Sequence, residues 1–251
     1  ETAAGYVAAK GVTVLRGPAS FSTNAECGVL IDGFDDPPVM MYPYNLPYYQ
    51  RLIENAPGFA QVMDLFSYHI TLEGASQSPK LQKLFRITDQ NNARRGITVR
   101  TADPTHLAEE FALLKDIYNR AWERNWGFVP FSPRELDEMV AEIGRFFDPE
   151  MAFFAEIEGK PVAFLLGLPD MNQVLHHAYP RPGKPELIAL LQLLWHWKVR
   201  PKITRVRVML MGVQEGYRGI GVEAAMFIRA HQAGAALGWH DADGGWVLET
   251  N

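Results

Sequence analysis

Residues 213–226, VQEGYRGIGVEAAM, combine the residue types that a phosphate-binding turn needs. An apolar run typical of a strand precedes them and a run typical of a helix follows, so the local order is strand, turn, helix. In such a turn, backbone N–H groups and the positive end of the helix point at one spot, where they hold an anion. Gly219 and Gly221 allow the backbone to approach a phosphate closely, and Arg218 adds a charged donor.

Two common phosphate-binding motifs are excluded for this turn. No Gly-Lys-Ser/Thr ends it, so it is not a Walker loop, and it lacks the three-glycine fingerprint of dinucleotide-binding folds. Its position between a strand and a helix therefore carries the prediction.

The elements around the turn alternate from residue 97 onward. A helix is expected to begin at Ser132, because Ser132 is a good N-cap, Pro133 follows, and Glu135 completes a capping box. Two strands are joined at Glu158-Gly159. This pattern predicts an α/β fold with a mixed sheet. The predicted strands are 97–100, the two joined strands within 151–170, 204–213 and 245–251. The predicted helices are 106–125, one that starts at about 132, 185–199 and 221–238.

The front of the chain predicts a second, partial unit. Residues 3–10 are typical of a helix, 11–17 (GVTVLRG) of a strand, 46–55 of a helix and 61–70 of a strand. Residues 8–24 also align without a gap with residues 235–251, including the shared pairs Thr23-Asn24 and Thr250-Asn251, which suggests an internal tandem repeat. The polar residues 73–96 are predicted to be a linker, which gives units at 1–72 and 97–251.

Composition restricts the class of protein. The chain has 251 residues, a formal net charge of −5 and 47% hydrophobic residues, typical of a globular protein and unfavourable for nucleic acid, although a basic strip of Arg200, Lys202, Arg205 and Arg207 remains. The single Cys27 excludes an internal disulfide, which fits a cytoplasmic protein. The apolar run at 187–199 is too short to span a bilayer, and no membrane is expected as a partner. No secretory signal is present, and the missing initiator Met predicts an incomplete N-terminus.

The glycine turn resembles the acyl-CoA-binding motif of the GCN5-related N-acetyltransferases (GNAT superfamily), Val-x-Pro-Glu-Tyr-Arg-Gly-x-Gly-x-Gly/Ala. Val213, Tyr217, Arg218, Gly219 and Gly221 lie in register with it. The order of elements after residue 97 is also similar to that of the family, and the front unit resembles the back half of another such domain. Residues 17–45 resemble a segment of uncharacterised bacterial tandem acetyltransferase-like proteins.

The resemblance implies acetyl transfer from acetyl-CoA to a small-molecule amine, by direct attack on the thioester. An N–H near residues 211–213 would stabilise the oxyanion, and Glu249 is the candidate base. The loop that holds the acceptor in this family would supply Asn125, Trp126 and Phe128. The implied cofactor-binding residues are Met211, Gly212, Val213, Arg218, Gly219, Ile220, Gly221 and Val222.

Three departures from the family pattern count against activity. Two of them, Glu223 and the missing end of the domain, favour an alternative, a degenerate GNAT-like module that binds or assembles without catalysis. Glu223 places a carboxylate on the first helical turn, near the expected pyrophosphate. A helical insertion at 169–202 separates two strands that the family joins by a short turn, and the last helix of the family is missing after Asn251. The two half units could complement each other across a homodimer.

The remaining candidates are His176 and His177, Cys27, and the tryptophans Trp195 and Trp197. The two histidines lack a second pair at ligand spacing, so no metal site is predicted. Cys27 lacks a basic neighbour to lower the pKa of its thiol, so no thiolate nucleophile is expected. The tryptophans either pack in the core or form an exposed aromatic face for a partner or a second copy.

Overall fold

A computed structural model describes residues 2–20, 22–23, 25–71, 74, 77–144, 147–183 and 185–251. The chain falls into two compact units. The smaller unit comprises residues 1–62 and 127–129 and contains α1 (Thr2–Ala8) and α2 (Tyr48–Glu54). Asn24, which the proposed repeat aligns with Asn251, lies outside the described residues.

The larger unit is built on one six-stranded sheet with the order β1-β6-β5-β4-β3-β2. Strands β5 and β6 pair in parallel and the other four pairs are antiparallel, so the predicted α/β fold with a mixed central sheet is confirmed. The strands are β1 (Leu65–Thr71), β2 (Ile97–Thr101), β3 (Ala152–Ile157), β4 (Lys160–Pro169), β5 (Arg205–Val213) and β6 (Asp241–Leu248).

Helices cover both faces of this sheet. Phe153 and Phe154 are neighbours in β3 and therefore point to opposite faces. Arg229 of α8 (Val222–Ala236) stacks on Phe153, whereas Arg100 stacks on Phe154 and pairs with Glu110 of α4 (Leu107–Trp122). Helices α8 and α4 therefore lie on opposite faces. The helices of this unit are α3 (Pro79–Arg95), α4 (Leu107–Trp122), α5 (Pro133–Ile143), α6 (Asn172–His177), α7 (Glu186–Leu194) and α8 (Val222–Ala236). No helix in the described ranges has both the length and the apolar character needed to cross a bilayer.

Several local predictions agree with the structure. Glu158 and Gly159 form the tight turn between β3 and β4, with φ values of 54° and 73°. The predicted helical insertion is present as α6 and α7, between the end of β4 at Pro169 and the start of β5 at Arg205.

Three segments differ from the prediction. Residues 12–17, expected to form a strand, lie outside helices and strands, because strand propensity alone does not suffice without a neighbouring strand. Strand β6 begins at Asp241, four residues earlier than expected, since pairing with β1 and β5 outweighs the turn propensity of DADGG. The expected linker at 73–96 contains α3, and the division between the units falls after Val62. The assignment of residues 1–72 to a half GNAT-like unit stays a prediction.

We expect Ser132→Ala to lower the free energy of unfolding by about 1 kcal/mol. The Ser132 hydroxyl accepts a hydrogen bond from the Glu135 N–H at 3.2 Å, and the Glu135 carboxylate accepts one from the Ser132 N–H at 2.9 Å, which confirms the capping box. Urea denaturation measures the loss. Ser132→Thr keeps the cap and serves as the control; an equal loss in both variants would contradict the capping role.

Candidate functional site

The candidate site begins where β5 and β6 diverge. The two strands pair from Arg205 opposite Asp241 to Val208 opposite Gly244. Beyond these pairs β5 continues to Val213 beside β4, and β6 continues to Leu248 beside β1. Peptide groups on the β5 edge that faces this opening therefore have no partner in β6.

The glycine turn lies at the far end of β5 and requires both of its glycines. Gly219 and Gly221 have φ values of 70° and 105°, a region that residues with a side chain rarely adopt. A Cβ on Gly221 would also lie 2.4 Å from Nδ2 of Asn91. That amide donates a hydrogen bond to the Ile220 carbonyl at 2.8 Å, so α3 supports the turn directly. The close approach at Gly221 is thus to a side chain of the protein.

The Glu223 side chain binds a backbone N–H group of this turn. Its carboxylate Oε1 accepts a hydrogen bond from the Gly219 N–H at 3.2 Å, near the N-terminus of α8. An anion bound at that N–H would have to displace this carboxylate and would feel its charge. The sequence placed the Glu223 carboxylate near the expected pyrophosphate, and the structure shows that it accepts a hydrogen bond from the turn.

Arg218 holds the turn against its neighbours. Its Nε donates to the Val213 carbonyl at 3.1 Å, and its Nη2 donates to the Ala121 carbonyl at the end of α4. Two of its five N–H donors are thereby committed to the backbone. Its predicted contact with a phosphate stays a prediction, and any such contact would use the remaining donors.

The end of α4 fixes the end of β5. The Trp122 indole N–H donates to the Met211 carbonyl at 3.1 Å, and Arg124 forms an exposed ion pair with Glu215 at 2.7 Å. Position 212 has room only for glycine, because a Cβ there would lie 2.7 Å from the Phe164 ring. The carbonyls at this end of β5 are thus held in place by side chains before any ligand binds.

The predicted acceptor residues follow α4. The N–H of Asn125 donates to the Trp122 carbonyl at 2.8 Å and closes a turn directly after the helix. Trp126 belongs to the larger unit and Phe128 to the smaller one. In the smaller unit, Thr23 donates to the Gly127 carbonyl at 2.8 Å. A pocket lined by these residues stays a prediction.

Glu249, the predicted base, lies one residue after β6. Its backbone N–H donates to the Asp64 carbonyl at 3.0 Å, and its Oε1 accepts from the Asp64 N–H at 3.2 Å. It is five residues beyond Gly244, roughly 15 Å along the strand from the point of divergence. Its catalytic role stays a prediction, and its observed contact is with the backbone that leads into β1.

A buried polar cluster that sequence reasoning missed lies at the point of divergence. Arg207 and Asp243 are register partners on β5 and β6 and are only 4% and 5% exposed. The Ser67 hydroxyl donates to Asp243 Oδ2 at 2.7 Å, and the Arg207 guanidinium lies 5.5 Å from the Trp246 ring centre. Burying charged groups is costly, so such a cluster is a candidate for function. The alternating charges of RVRV were its one signal in the sequence.

The cluster lies on the face of the sheet that α4 covers. In β4, Phe164 and Leu168 are four residues apart and so share a face. Phe164 is the partner of Gly212, which packs on α4, and Leu168 is the partner of Arg207. The cluster and the C-terminal end of α4 are therefore on the same face of the sheet.

The basic strip expected from the sequence does not form a surface. Arg207 is buried, and the Arg205 guanidinium, largely buried, binds the fully buried Asp170 carboxylate at 2.6 and 2.9 Å. Of the four, Arg200 is exposed and Lys202 is partly covered.

The structure shows the surroundings of the histidines and the cysteine that were considered for metal or nucleophilic chemistry. Within the described ranges no group of three or more His, Cys, Asp or Glu side chains is arranged to hold a metal ion. The rings of His177 and His196 are 5.0 Å apart, edge to face. Burial raises the pKa of the Cys27 thiol, which disfavours the thiolate.

Comparison with known proteins finds relatives along almost the whole chain. No protein-family model matches it. It is 34% identical over 250 residues to protein YghO of Escherichia coli (strain K12) and 28% identical over 250 residues to the bacterial ceramide synthase of Caulobacter vibrioides (strain NA1000 / CB15N). Each alignment covers 98% of this chain and 62% of the relative, so the chain spans about three fifths of their length.

Solved structures with a similar fold include GCN5-related N-acetyltransferases. One from Sphaerobacter thermophilus is 19% identical with a TM-score of 0.46, covering 80% of this chain and 47% of that chain. L-PGS from Bacillus licheniformis is 16% identical with a TM-score of 0.43, covering 74% and 48%. A GNAT family acetyltransferase from Brucella melitensis in complex with acetyl-CoA is 12% identical with a TM-score of 0.36, covering 57% and 71%. The family that the glycine turn resembles thus recurs among these structures.

Proposed function

We propose that this chain is an acyltransferase module that moves an acyl group from an acyl-CoA thioester to an amine. The observation that carries the proposal is the divergence of β5 and β6 after Val208 and Gly244, on the same strand that ends in the glycine turn. An extended pantetheine arm would lie along the part of β5 that β6 leaves, and a pyrophosphate would lie at the N-terminus of α8, where it would displace the Glu223 carboxylate. Backbone N–H groups of Ile220 and Val222 would donate hydrogen bonds to the pyrophosphate.

The chemistry needs few groups from the protein. The nitrogen of a neutral amine attacks the thioester carbonyl carbon, the C–N bond forms, the C–S bond breaks, and the thiolate leaves and takes up a proton. A backbone N–H near residues 211–213 would stabilise the oxyanion. A carboxylate would take the proton that the amine loses, and Glu249 remains the candidate from the sequence.

The amine is inferred from a relative. Ceramide is an amide of a fatty acid and a long-chain amino alcohol, so the name of the Caulobacter vibrioides relative denotes N-acylation of a lipid amine. We therefore favour a long-chain amine and a longer acyl group over the small amine and acetyl group first expected. The absence of nucleic-acid binding remains a proposal, supported by the acidic balance, the burial of Arg207 and the partial burial of Arg205. A cytoplasmic location also remains a proposal.

A second candidate function is a binding module without catalysis. It is favoured by the Glu223 carboxylate, which already accepts a hydrogen bond from the Gly219 N–H. In that case the turn is closed by the protein itself and no anionic ligand is needed there.

Calorimetric titration with acetyl-CoA and with octanoyl-CoA separates the two candidates. We expect binding by the wild-type chain, and about 10-fold tighter binding by Glu223→Gln and Glu223→Ala, because one like charge is removed and the Ala variant also frees the Gly219 N–H. Stronger binding of octanoyl-CoA would support a longer acyl group.

Glu215→Gln is the matched control for this titration, because Glu215 is an exposed carboxylate of the same loop that pairs with Arg124. Its affinity should stay near that of the wild type. If folded wild-type and Glu223 variants all fail to bind either thioester, the acyltransferase proposal fails and the binding module remains.

A further inference from the structure

Helix α7 and the single π-helical turn after it, Trp195–Val199, expose an apolar surface. No residue of α7 is buried, whereas α4 buries five of its residues. Ala189, Leu193, His196 and Trp197 form the partly covered side. The remaining large apolar side chains are each at least 41% exposed, namely Leu187, Ile188, Leu190, Leu191, Leu194, Trp195 and Val199. We call these seven residues the α7 patch, an apolar surface that needs a partner.

Basic residues flank the α7 patch in the sequence. The segment 178–204 has five lysines and arginines and one glutamate, although the whole chain has a net charge of −5. Lys198 and Arg200 are exposed next to the patch, and the Lys198 ammonium lies 4.0 Å from the Trp197 ring centre. Apolar side chains with tryptophan and basic residues at their border are typical of helices that lie in a membrane interface. The charge of this border complements anionic headgroups.

We propose that the α7 patch docks this protein on an anionic lipid bilayer, with α7 lying in the interface. Residues 186–199 form about 21 Å of helix, short of the roughly 30 Å hydrocarbon core, so the segment lies on the bilayer and does not cross it. A symmetric dimer through the patch would bring the basic border of one copy near that of the other, which disfavours a second copy as the occupant. The proposal replaces the prediction that no membrane is involved.

The location of the patch suits a substrate that arrives from a bilayer. The insertion leaves the sheet between Pro169 and Arg205, so it lies at the end of β5 opposite the glycine turn. The point of divergence at Val208 is three residues along β5, about 10 Å from Arg205. A lipid amine would enter at one end of the site and the CoA phosphates would bind at the other. This link rests on the proposed function, whereas the docking does not.

Vesicle co-sedimentation tests the docking without any measurement of activity. The vesicles are phosphatidylcholine alone and phosphatidylcholine mixed with phosphatidylglycerol. We expect the wild-type chain to bind the mixed vesicles, and Leu187→Gln/Leu191→Gln to lose at least about 10-fold in partitioning. Lys198→Glu/Arg200→Glu should also bind more weakly, and added salt should weaken wild-type binding.

The matched control is Leu84→Gln/Ile87→Gln, which replaces two similarly exposed apolar residues on α3 and should leave partitioning unchanged. Circular dichroism and thermal unfolding check that every variant is folded. The proposal is overturned if the folded wild-type chain does not bind the mixed vesicles or if the α3 variant loses as much binding as the α7 variant. It is also overturned if the α7 substitutions only dissociate a dimer, seen by sedimentation equilibrium.

Discussion

Gly221→Ala should weaken the glycine turn more than any other single-methyl change in it. A residue with a side chain at a φ of 105° costs about 1–2 kcal/mol. The new Cβ would also displace Asn91 Nδ2, which lies 2.4 Å from its position and donates to the Ile220 carbonyl, and losing that hydrogen bond costs about 1 kcal/mol. We expect a total loss of about 2–3 kcal/mol in the free energy of unfolding, and about 30-fold weaker acyl-CoA binding.

Combining Gly221→Ala with Asn91→Gly in a double-mutant cycle separates the clash from the backbone strain. Asn91→Gly alone loses the hydrogen bond to Ile220, but in the double variant it also removes the group that the new methyl at position 221 would meet. The two changes together should therefore cost less than their sum. Gly216→Ala is the control, since a Cβ there would meet nothing within 4 Å. A strictly additive cycle would show that Asn91 does not define the turn.

The glycine turn shows which features can be predicted from the sequence and which cannot. Gly219 and Gly221 were predicted to form a tight turn because strand, glycines and helix are contiguous in the chain. Asn91 was not, because it lies 129 residues before its partner Ile220, in a polar segment interpreted as a linker. A local pattern predicts a backbone conformation, but it carries no information on which distant side chain supports it.

The same limit applies to the charged groups. Strand β5 was predicted from the sequence, including the alternation that places Arg205 and Arg207 on one face. The partners of these two arginines depend on the order of the strands in the sheet, which the sequence does not show. Ser67 reaches Asp243 across 176 residues of sequence, because β1 lies beside β6. For Trp195 the sequence left two alternatives open, and its exposed side chain agrees with the exposed aromatic face.

We expect Asp170→Ala to lower the free energy of unfolding by about 3–5 kcal/mol, the largest effect on stability among these predictions. The Asp170 carboxylate is fully buried at the end of β4 and binds Arg205 at the start of β5 with two short hydrogen bonds. Its other oxygen accepts the Asn172 N–H at 3.2 Å, at the first turn of α6. Removing the carboxylate leaves a largely buried guanidinium without its charged partner and frees both ends of the insertion.

Urea denaturation measures this loss, and Asp116→Ala is its control because Asp116 forms only an exposed ion pair with Arg120, worth about 0.5 kcal/mol. Asp170→Ala combined with Arg205→Met should recover part of the stability, since no unpaired charge then remains buried. Hydrogen exchange should show α6 and α7 losing protection before the sheet does, because the pair joins the insertion to the sheet. If Asp170→Ala lowers the free energy of unfolding no more than Asp116→Ala does, the ion pair does not anchor the insertion. Other contacts must then hold α7 in place.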